Sequence, residues 1–258
     1  MCACLVSTLR ILVLSDIHGN LEALEACLEA APPHDRVFNL GDIVGYGANP
    51  NETLERARGL GGIFVRGNHD KACSGLSNLA GFNPIAGLAA RWTRQTLTPE
   101  NLDYLRGLPQ GPVAAMENVE CVHGSARDED EYVMMSRDAL SLLQESTVPV
   151  TFFGHTHIQC AFILESKGRF QGVLPAYPSS SGEQQIEVRL KAEARYLINP
   201  GSIGQPRDGD PRAAFLLYDA DESFITFHRV PYKIADAQKK ILAAGLPDRL
   251  AERLSEGR

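Results

Sequence analysis

The sequence predicts an α/β fold in which a largely parallel sheet packs against a second sheet. In the first half of its 258 residues, short Val-, Ile- and Phe-rich runs alternate with helical patterns, which is typical of parallel strands joined by right-handed crossovers. After about residue 157, the helical patterns give way to strand-like runs separated by turn residues, and we expect these runs to form the second sheet. Because motif residues before and after this change must meet, we expect a single domain over residues 1–258.

Five short apolar runs in the first half have the composition of buried strands. Most of them are rich in Val, Ile, Leu or Phe, and each is followed by a glycine or a polar residue. These predicted strands cover residues 11–14, 37–40, 63–65, 120–122 and 150–153. The runs of the second half cover residues 161–164, 170–173, 186–190, 196–198, 213–218 and 224–230, with a turn at residues 178–182.

Helix signals lie between these runs and at the end of the sequence. Asn20 is predicted to cap a helix through about Ala30. Thr98 followed by Pro99 predicts a second capped start, for a helix that ends near residue 106. We expect Ser136 to cap a helix through about residue 143. The other predicted helices cover residues 50–58, 84–95, 234–244 and 247–254.

Composition excludes several classes of partner. The formal net charge of −7 gives no long-range attraction to nucleic-acid polymers or anionic membranes, so we expect a small phosphate-containing substrate captured locally. No segment reaches the ~18 apolar residues of a membrane span, and the N-terminus lacks the early positive charges of a signal peptide. The six cysteines, including Cys2 and Cys4, form no Cys-x-x-Cys pair. These features predict a reduced, cytoplasmic protein.

Each of the five early strands ends in residues that can bind a metal ion. In order, the strand ends carry Asp16-Ile17-His18, Gly41-Asp42, Gly67-Asn68-His69-Asp70, His123-Gly124 and Gly154-His155-Thr156-His157. Because ligands of open α/β sheets bind beyond the carboxyl ends of the strands, we expect these side chains to converge on one site. One such motif is a weak signal, whereas five in succession are strongly specific. His34 and His228 lie outside the motifs and are interpreted as structural or solvated.

The ligand set predicts two divalent transition-metal ions. Carboxylates, imidazoles and an amide without a thiolate suit Mn²⁺, Fe, Co²⁺ or Zn²⁺, with Mn²⁺ preferred and Ni²⁺ a further alternative. Two carboxylates, four imidazoles and one amide exceed the needs of one tetrahedral ion but match two ions that share Asp42. With Asp16 and Asp42 ionised, the ions keep a net charge of about +2. That charge attracts phosphate and favours a bridging hydroxide that attacks phosphorus.

Together these motifs resemble the calcineurin-like metallophosphoesterase superfamily. The resemblance spans roughly the first 160 residues, and Asn199-Pro200-Gly201-Ser202 resembles a late loop of small prokaryotic members. It implies a four-layer α/β/β/α sandwich of two mixed sheets and a dinuclear site. By this resemblance His69 protonates the leaving oxygen and Asp42 bridges the ions. The first metal is then bound by Asp16, His18 and His157, and the second by Asn68, His123 and His155.

One motif departs from the Ser/Thr protein phosphatase branch of the superfamily. There the Gly-Asp motif continues through Asp-Arg-Gly, which orients the acid histidine and grips phosphate. Here Gly41-Asp42 continues as Ile43-Val44-Gly45-Tyr46-Gly47, so both groups are missing from this motif. The Gly-Tyr-Gly continuation is more similar to small-molecule phosphodiesterases, including relatives of dinucleoside polyphosphate hydrolases.

Three residues are candidates for contact with the substrate. Arg127 and Arg207 are candidates for binding its phosphate, and Tyr46 for packing against a base. The favoured function is a phosphodiesterase acting on a small phosphodiester or a nucleotide anhydride. The alternatives are a dinucleoside polyphosphate hydrolase, a phosphomonoesterase or protein phosphatase, and a non-catalytic metal-binding scaffold. The scaffold is disfavoured because all seven ligands and His69 are present.

Overall fold

The computed structural model describes residues 8–178 and 181–258. The predictions for Cys2, Cys4 and the N-terminal segment lie outside the described residues, as does part of the predicted turn at residues 178–182. The other four cysteines are free and buried, as expected for small apolar side chains; they are Cys27, Cys73, Cys121 and Cys160. Within the described ranges, no helix is long and apolar enough to cross a membrane.

Twelve strands form in the described chain, most of them close to the predicted positions. Those up to residue 152 are β1 (Arg10–Leu14), β2 (Arg36–Asn39), β3 (Ile63–Phe64), β4 (Val113–Met116), β5 (Val119–Cys121) and β6 (Val150–Phe152). Those that follow are β7 (Cys160–Glu165), β8 (Phe170–Val173), β9 (Gln184–Arg189), β10 (Ala194–Asn199), β11 (Ala213–Asp219) and β12 (Phe224–Val230). The hairpin strand β4 was not predicted, because its short Val-Ala-Ala-Met run has little β propensity.

The strands form two mixed six-stranded sheets, with orders β3-β2-β1-β11-β12-β9 and β4-β5-β6-β10-β7-β8. The prediction that the two halves of the sequence form separate sheets is therefore wrong. Strand β1 pairs in parallel with β2 but antiparallel with β11, and β6 pairs in parallel with both β5 and β10. Strands from the second half thus complete each sheet. The prediction failed because sequence periodicity does not specify which strands pair.

Eight helices occur in the described chain. They are α1 (Leu21–Ala30), α2 (Pro50–Gly59), α3 (Asn68–Ser74), α4 (Pro84–Thr96), α5 (Pro99–Arg106), α6 (Ser136–Glu145), α7 (Ile234–Ala243) and α8 (Asp248–Glu256). Asn20 and Thr98 cap α1 and α5 as predicted, each accepting a backbone N–H three residues on. Ser136 is the first residue of α6 and not its cap, which is Met135. The short helix α3 was not predicted.

Alternating side chains of β1 build the layers of the sandwich. Leu12 and Leu14 join the core beneath α1, whereas Ile11 and Val13 face the second sheet and pack in one core with Phe152. Helix α6 covers the outer face of that second sheet in a third core. The order helices, sheet, sheet, helix is the four-layer α/β/β/α sandwich expected from the sequence.

Candidate metal centre

All five motif loops meet at one end of the two sheets. Two groups of buried side chains lie there, each with its donor atoms within 4.8 Å of one another. The first group is Asp16, His18, Asp42 and His157, and the second is Asp42, His123 and His155. Asp42 belongs to both, with its Oδ2 atom 3.6 Å from His18 Nε2 and 3.4 Å from His123 Nε2. The position of Asp42 is therefore suited to sharing.

Asn68 lies beside the second group at the start of α3. Its Oδ1 atom is 3.2 Å from His123 Nε2, and its side chain is half-buried. The strand-to-helix turn before it comes very close to the loop after β2, because a Cβ at Gly67 would overlap the Asp42 carboxylate. Only glycine permits this approach.

The loops that carry the cluster adopt backbone conformations that are rare for residues with side chains. Of the eight non-glycine residues with positive φ in the described chain, six belong to these loops. They are Asp16, His18, Asp42, Tyr46, His155 and His157, with φ between 50° and 65°. Such conformations cost about 1–3 kcal/mol each and persist where the surroundings fix them, commonly at ligand sites.

Backbone carbonyls orient three of the four imidazoles of the cluster. The contacts are His18 Nδ1 to Val44 O at 3.2 Å, His123 Nδ1 to Leu40 O at 2.8 Å and His157 Nδ1 to Gln205 O at 2.6 Å. Because a carbonyl oxygen only accepts, each Nδ1 must donate its proton in the neutral ring. The Nε2 lone pairs therefore face the cluster and are available to a cation.

The donor atoms fit divalent cations. His18 Nε2 and His157 Nε2 face each other at 3.1 Å, although both carry lone pairs. Two nitrogens that bind one ion at about 2.1 Å, at angles of about 90–109°, lie about 3.0–3.4 Å apart. Asp16 Oδ1 and His155 Nε2 are buried without a hydrogen-bond partner among the described residues. These atoms match the needs of a cation better than those of a closed hydrogen-bond network.

The charges of the cluster favour cation binding. Burial disfavours the ionised form of Asp42, but His123 and His69 beside it hold its pKa well below the usual range. Burial also disfavours the charged form of His123, yet Asp42 and Asp16 raise its pKa to about 10. Burial and His123 lower the pKa of His155 to about 3. In the metal-free protein at neutral pH, His123 therefore carries a proton that a cation must displace.

His69 lies beside the cluster and belongs to neither group. Its buried ring lies 4.3 Å from the ring of Tyr46 and 4.9 Å from the rings of His18 and Phe82. Its Nδ1 atom has no hydrogen-bond partner in the described part of the chain. Burial lowers its pKa to about 4. Aromatic packing thus orients His69, where an acidic partner was missing from the motif.

Asp70 has a structural role that the sequence analysis did not assign. Its buried carboxylate accepts four backbone N–H groups, from Asp42, Ile43, Val44 and Gly67, at 2.8 to 3.2 Å. It thereby ties the loop after β2 to the turn before α3. Burial and the Asp42 carboxylate raise its pKa to about 7, against the effect of these donors. The sequence feature that could have pointed to this role is the position of Asp70 in the Gly67-Asn68-His69-Asp70 motif.

The late loop after β10 braces the cluster. Asn199 donates from its side chain to Gly154 O at 2.8 Å and to Thr156 Oγ1 at 2.9 Å. Ser202 donates from its hydroxyl to Asp16 O at 2.8 Å. This loop therefore holds two of the motif loops in place.

Arg207 and Tyr46, two of the predicted substrate contacts, lie next to the cluster. The Arg207 backbone N–H donates to His157 O at 3.2 Å, and after burial its charge is the next largest influence that lowers the pKa of His157. The Tyr46 ring lies 4.7 Å from the His18 ring. Both residues therefore lie beside the candidate ligands, and their contact with a substrate stays a prediction.

Arg127, the third predicted contact, points elsewhere. Its guanidinium donates to Glu145 at 2.8 Å and to Ser141 at 2.6 Å, both on α6. The pocket that it lines includes none of the candidate metal ligands. Sequence spacing placed Arg127 four residues after His123, but Glu145 and Ser141 on α6 hold its side chain. Its contact with a substrate phosphate stays a prediction that these contacts disfavour.

An open cleft of about 340 Å³ lies directly against the cluster. Candidate ligands and aromatic side chains share its wall, including Asn68, His155, His69, Tyr46, Phe82 and Tyr132. The Tyr132 ring lies 3.8 Å from the ring of His155. Phe82 and Tyr132 were not singled out from the sequence, since both lie in loops without a recognisable motif.

Comparisons with known proteins agree with this geometry. The calcineurin-like phosphoesterase superfamily domain matches residues 9–223. An uncharacterised protein of Methanocaldococcus jannaschii is 36% identical over 255 residues, which is 96% of this chain and 98% of that protein. The crystal structure of a metallophosphoesterase from Sphaerobacter thermophilus has a TM-score of 0.82 and 40% identity, over 97% of this chain and 100% of its own. A hypothetical protein of Pyrococcus horikoshii shares the fold, with a TM-score of 0.74 and 20% identity over 97% and 99% of the two chains.

The chain therefore belongs to the calcineurin-like phosphoesterase superfamily. This superfamily consists of phosphoester hydrolases that depend on divalent metals. The two buried Asp/His groups supply the candidate metal site that such an activity requires.

Proposed function

We propose that this protein is a dinuclear metal-dependent phosphodiesterase that hydrolyses a small phosphodiester or a nucleotide anhydride. The observation that carries the proposal is the pair of buried Asp/His groups that share Asp42 beside an open cleft. One shared carboxylate between two sets of imidazoles is an economical way to hold two cations close together. We expect a small substrate and not a nucleic-acid polymer, since the net charge is −7.

In this proposal the candidate ligands divide as the two groups do. The first cation is bound by Asp16, His18 and His157, the second by Asn68, His123 and His155, and both by Asp42. Mn²⁺ is the preferred ion, with Fe, Co²⁺, Zn²⁺ and Ni²⁺ as alternatives, because the donors are oxygen and imidazole nitrogen. When bound, the ions supply Lewis acidity that activates water and stabilises negative charge on the phosphoryl oxygens.

His69 acts as the general acid in this scheme. Its side chain lines the cleft next to the cluster. In this proposal the leaving group of the phosphodiester lies beside its ring. Burial holds the pKa of His69 near 4 in the free protein. The negative charge of a phosphate in the cleft favours the imidazolium form, so substrate binding itself prepares the proton donor.

Arg207 is the proposed binding residue for the substrate phosphate. Arg207 lies against His157 with its Nε atom buried and without a hydrogen-bond partner among the described residues. A guanidinium of this kind orients a phosphoryl group through paired hydrogen bonds. Tyr46 packs against the rest of the substrate.

Turnover of bis(4-nitrophenyl) phosphate by metal-reconstituted protein tests the proposal. We expect Mn²⁺ to stimulate cleavage above the chelator-treated control, and Fe²⁺, Co²⁺, Zn²⁺ or Ni²⁺ to support it to different extents. Absence of cleavage with every one of these ions contradicts the proposal. A parallel panel of phosphomonoesters, phosphopeptides and cyclic nucleotides separates the alternatives: preference for a phosphomonoester identifies a phosphomonoesterase or protein phosphatase instead.

A further inference from the structure

Two arginines next to the candidate metal centre form no ion pair with an acidic side chain of the described residues. Arg207 donates from its guanidinium to Gln205 Oε1 at 3.0 Å, and Arg253 donates to the main-chain oxygen of Arg258. Neither forms an ion pair with any acidic residue in the described part of the chain.

Arg207 is tied directly to the cluster. Its backbone N–H donates to His157 O, while Gln205 O accepts the Nδ1 proton of the same histidine. The buried Nε atom of Arg207 has no hydrogen-bond partner among the described residues. A buried N–H donor of a charged group without an acceptor is costly, so this atom is suited to a ligand.

Arg253 reaches the same place from helix α8. Its guanidinium carbon lies 5.9 Å from the ring centre of Tyr46, whose ring is 4.3 Å from that of His69. The helix is fixed there, since Leu250 and Leu254 share a core with Tyr46 and the Gly209 N–H donates to Gly257 O at 2.9 Å. Arg253 is therefore held at the edge of the site.

No acidic side chain of α8 neutralises Arg253. Glu256, three residues on, is bound by Arg249 at 2.9 Å. The hydrogen bond from Gly209 N–H to Gly257 O joins the segments that carry the two arginines, and burial and the charge of Arg207 lower the pKa of Arg253. An anion between them would remove the repulsion between the two charges and supply the acceptor that Arg207 Nε lacks.

We propose that Arg207 and Arg253 form a subsite for a second phosphoryl group of the substrate. The inference rests on the proposed function and narrows it: the preferred substrates are diesters of diphosphate, in which two phosphoryl groups share a bridging oxygen. The scissile phosphorus lies at the cluster. The second phosphoryl group lies past His69 and Tyr46, on the leaving side, between the two guanidinium groups.

The reaction is a simple hydrolysis of the anhydride. The oxygen of one water molecule bonds to the phosphorus at the cluster while the bond from that phosphorus to the bridging oxygen breaks. The bridging oxygen leaves with the second phosphoryl group. Both products are phosphomonoesters, and the two hydrogens of the water are divided between them or released as protons. The guanidinium groups stabilise the negative charge that grows on the leaving phosphate.

A matched pair of substrates tests the subsite. Bis(4-nitrophenyl) phosphate and P1,P2-bis(4-nitrophenyl) diphosphate differ by one phosphoryl group, and chromatography follows the products of both. We expect wild-type protein with Mn²⁺ to have the higher kcat/KM for the diphosphate. Arg253→Gln should lower the ratio of the two kcat/KM values about tenfold or more. Lys239→Gln removes one charge from a side chain that is 77% exposed on neighbouring α7 and should keep the wild-type ratio.

A binding measurement makes the test independent of turnover. The chain in the presence of a chelator is titrated with methylenediphosphonate, which cannot be hydrolysed, and with inorganic phosphate. We expect tighter binding of the diphosphonate, weakened about tenfold by Arg253→Gln and unchanged by Lys239→Gln. Thermal melting checks that each variant folds. Arg253→Lys, which keeps the charge and the stem beside Tyr46, should lower the ratio and the affinity by a smaller factor than Arg253→Gln.

The outcomes separate the two proposals. The subsite is refuted if wild-type protein cleaves the diester but does not prefer the diphosphate. It is also refuted if Arg253→Gln lowers both kcat/KM values by the same factor. In either case the proposed phosphodiesterase activity stands. If neither compound is cleaved with any of the metal ions, the phosphodiesterase fails. The diphosphonate titration then decides the subsite alone, and equal binding by wild-type and Arg253→Gln protein refutes it.

Discussion

Replacing Asp70 by asparagine should destabilise the protein, although the two side chains have nearly the same size and shape. The Oδ2 atom of Asp70 accepts the backbone N–H groups of Asp42 and Gly67, and Oδ1 accepts those of Ile43 and Val44. In Asp70→Asn one oxygen becomes an NH₂ group. Two buried backbone donors then face another donor and lose their acceptor.

The magnitude follows from those two donors. A buried N–H group left unsatisfied costs about 1–3 kcal/mol, so the pair predicts a loss of about 2–6 kcal/mol in the free energy of unfolding. Urea unfolding of the metal-free protein measures this loss. It is measured at about pH 8.5, where the carboxylate of Asp70, with a pKa of about 7, is ionised. Because a raised carboxyl pKa means that ionisation costs native stability, and the amide carries no charge, we expect a loss at the lower end of this range. Metal is excluded so that ligand binding does not add to the stability of the wild-type protein.

Asp103→Asn is the matched control. Asp103 is 75% exposed and pairs only with Arg106 on its own helix, at 2.8 Å. An exposed pair of this kind contributes about 0.5 kcal/mol or less. A loss below about 1 kcal/mol for Asp70→Asn, or one equal to that of Asp103→Asn, would refute the view that Asp70 ties the two metal loops together.

Two further predictions concern the histidines. His69→Ala should lower kcat by about 10²- to 10⁴-fold without lowering the content of bound metal, whereas exposed His34→Ala should change neither; an unchanged kcat for His69→Ala means that His69 is not the proton donor. The thermal midpoint of the metal-free protein should be highest near pH 6.5. It falls at lower pH because the unfolded chain takes up protons that native His155 and His69, with pKa values of about 3 and 4, do not. It falls at higher pH, up to about 10, because the unfolded chain releases the proton that native His123 retains. A midpoint that is flat between pH 5 and 9 contradicts these assignments.

The fold was accessible from sequence at the level of elements but less so at the level of pairing. Runs such as residues 11–14 and caps such as Asn20 depend on local periodicity and local hydrogen bonds, which are written in neighbouring residues. The placement of β11 beside β1, about 200 residues away, depends on packing between the sheets. No local pattern specifies it, and the expected division of the sheets by halves failed for this reason.

The candidate site shows the same difference between features that follow from local sequence and features that depend on long-range packing. The seven candidate ligand positions could be predicted because each follows a strand, and the structure brings six of them into the two Asp/His groups with Asn68 beside them. Side chains that arrive from outside the motifs were not evident. Arg253 comes from the last helix, and Phe82 and Tyr132 come from loops. They lie close to the candidate site because α8 and α4 pack around Tyr46, which no local sequence pattern indicates. The prediction for Arg127 used its spacing from His123, which does not reveal that Glu145 on α6 competes for its guanidinium.

The account depends above all on two cations that share Asp42. Anomalous diffraction from a crystal grown with Mn²⁺, recorded at the manganese edge, locates such ions directly. We expect two peaks in each chain, one among Asp16, His18 and His157 and one among Asn68, His123 and His155, with the Asp42 carboxylate between them. A single peak, or peaks away from Asp42, would contradict the account.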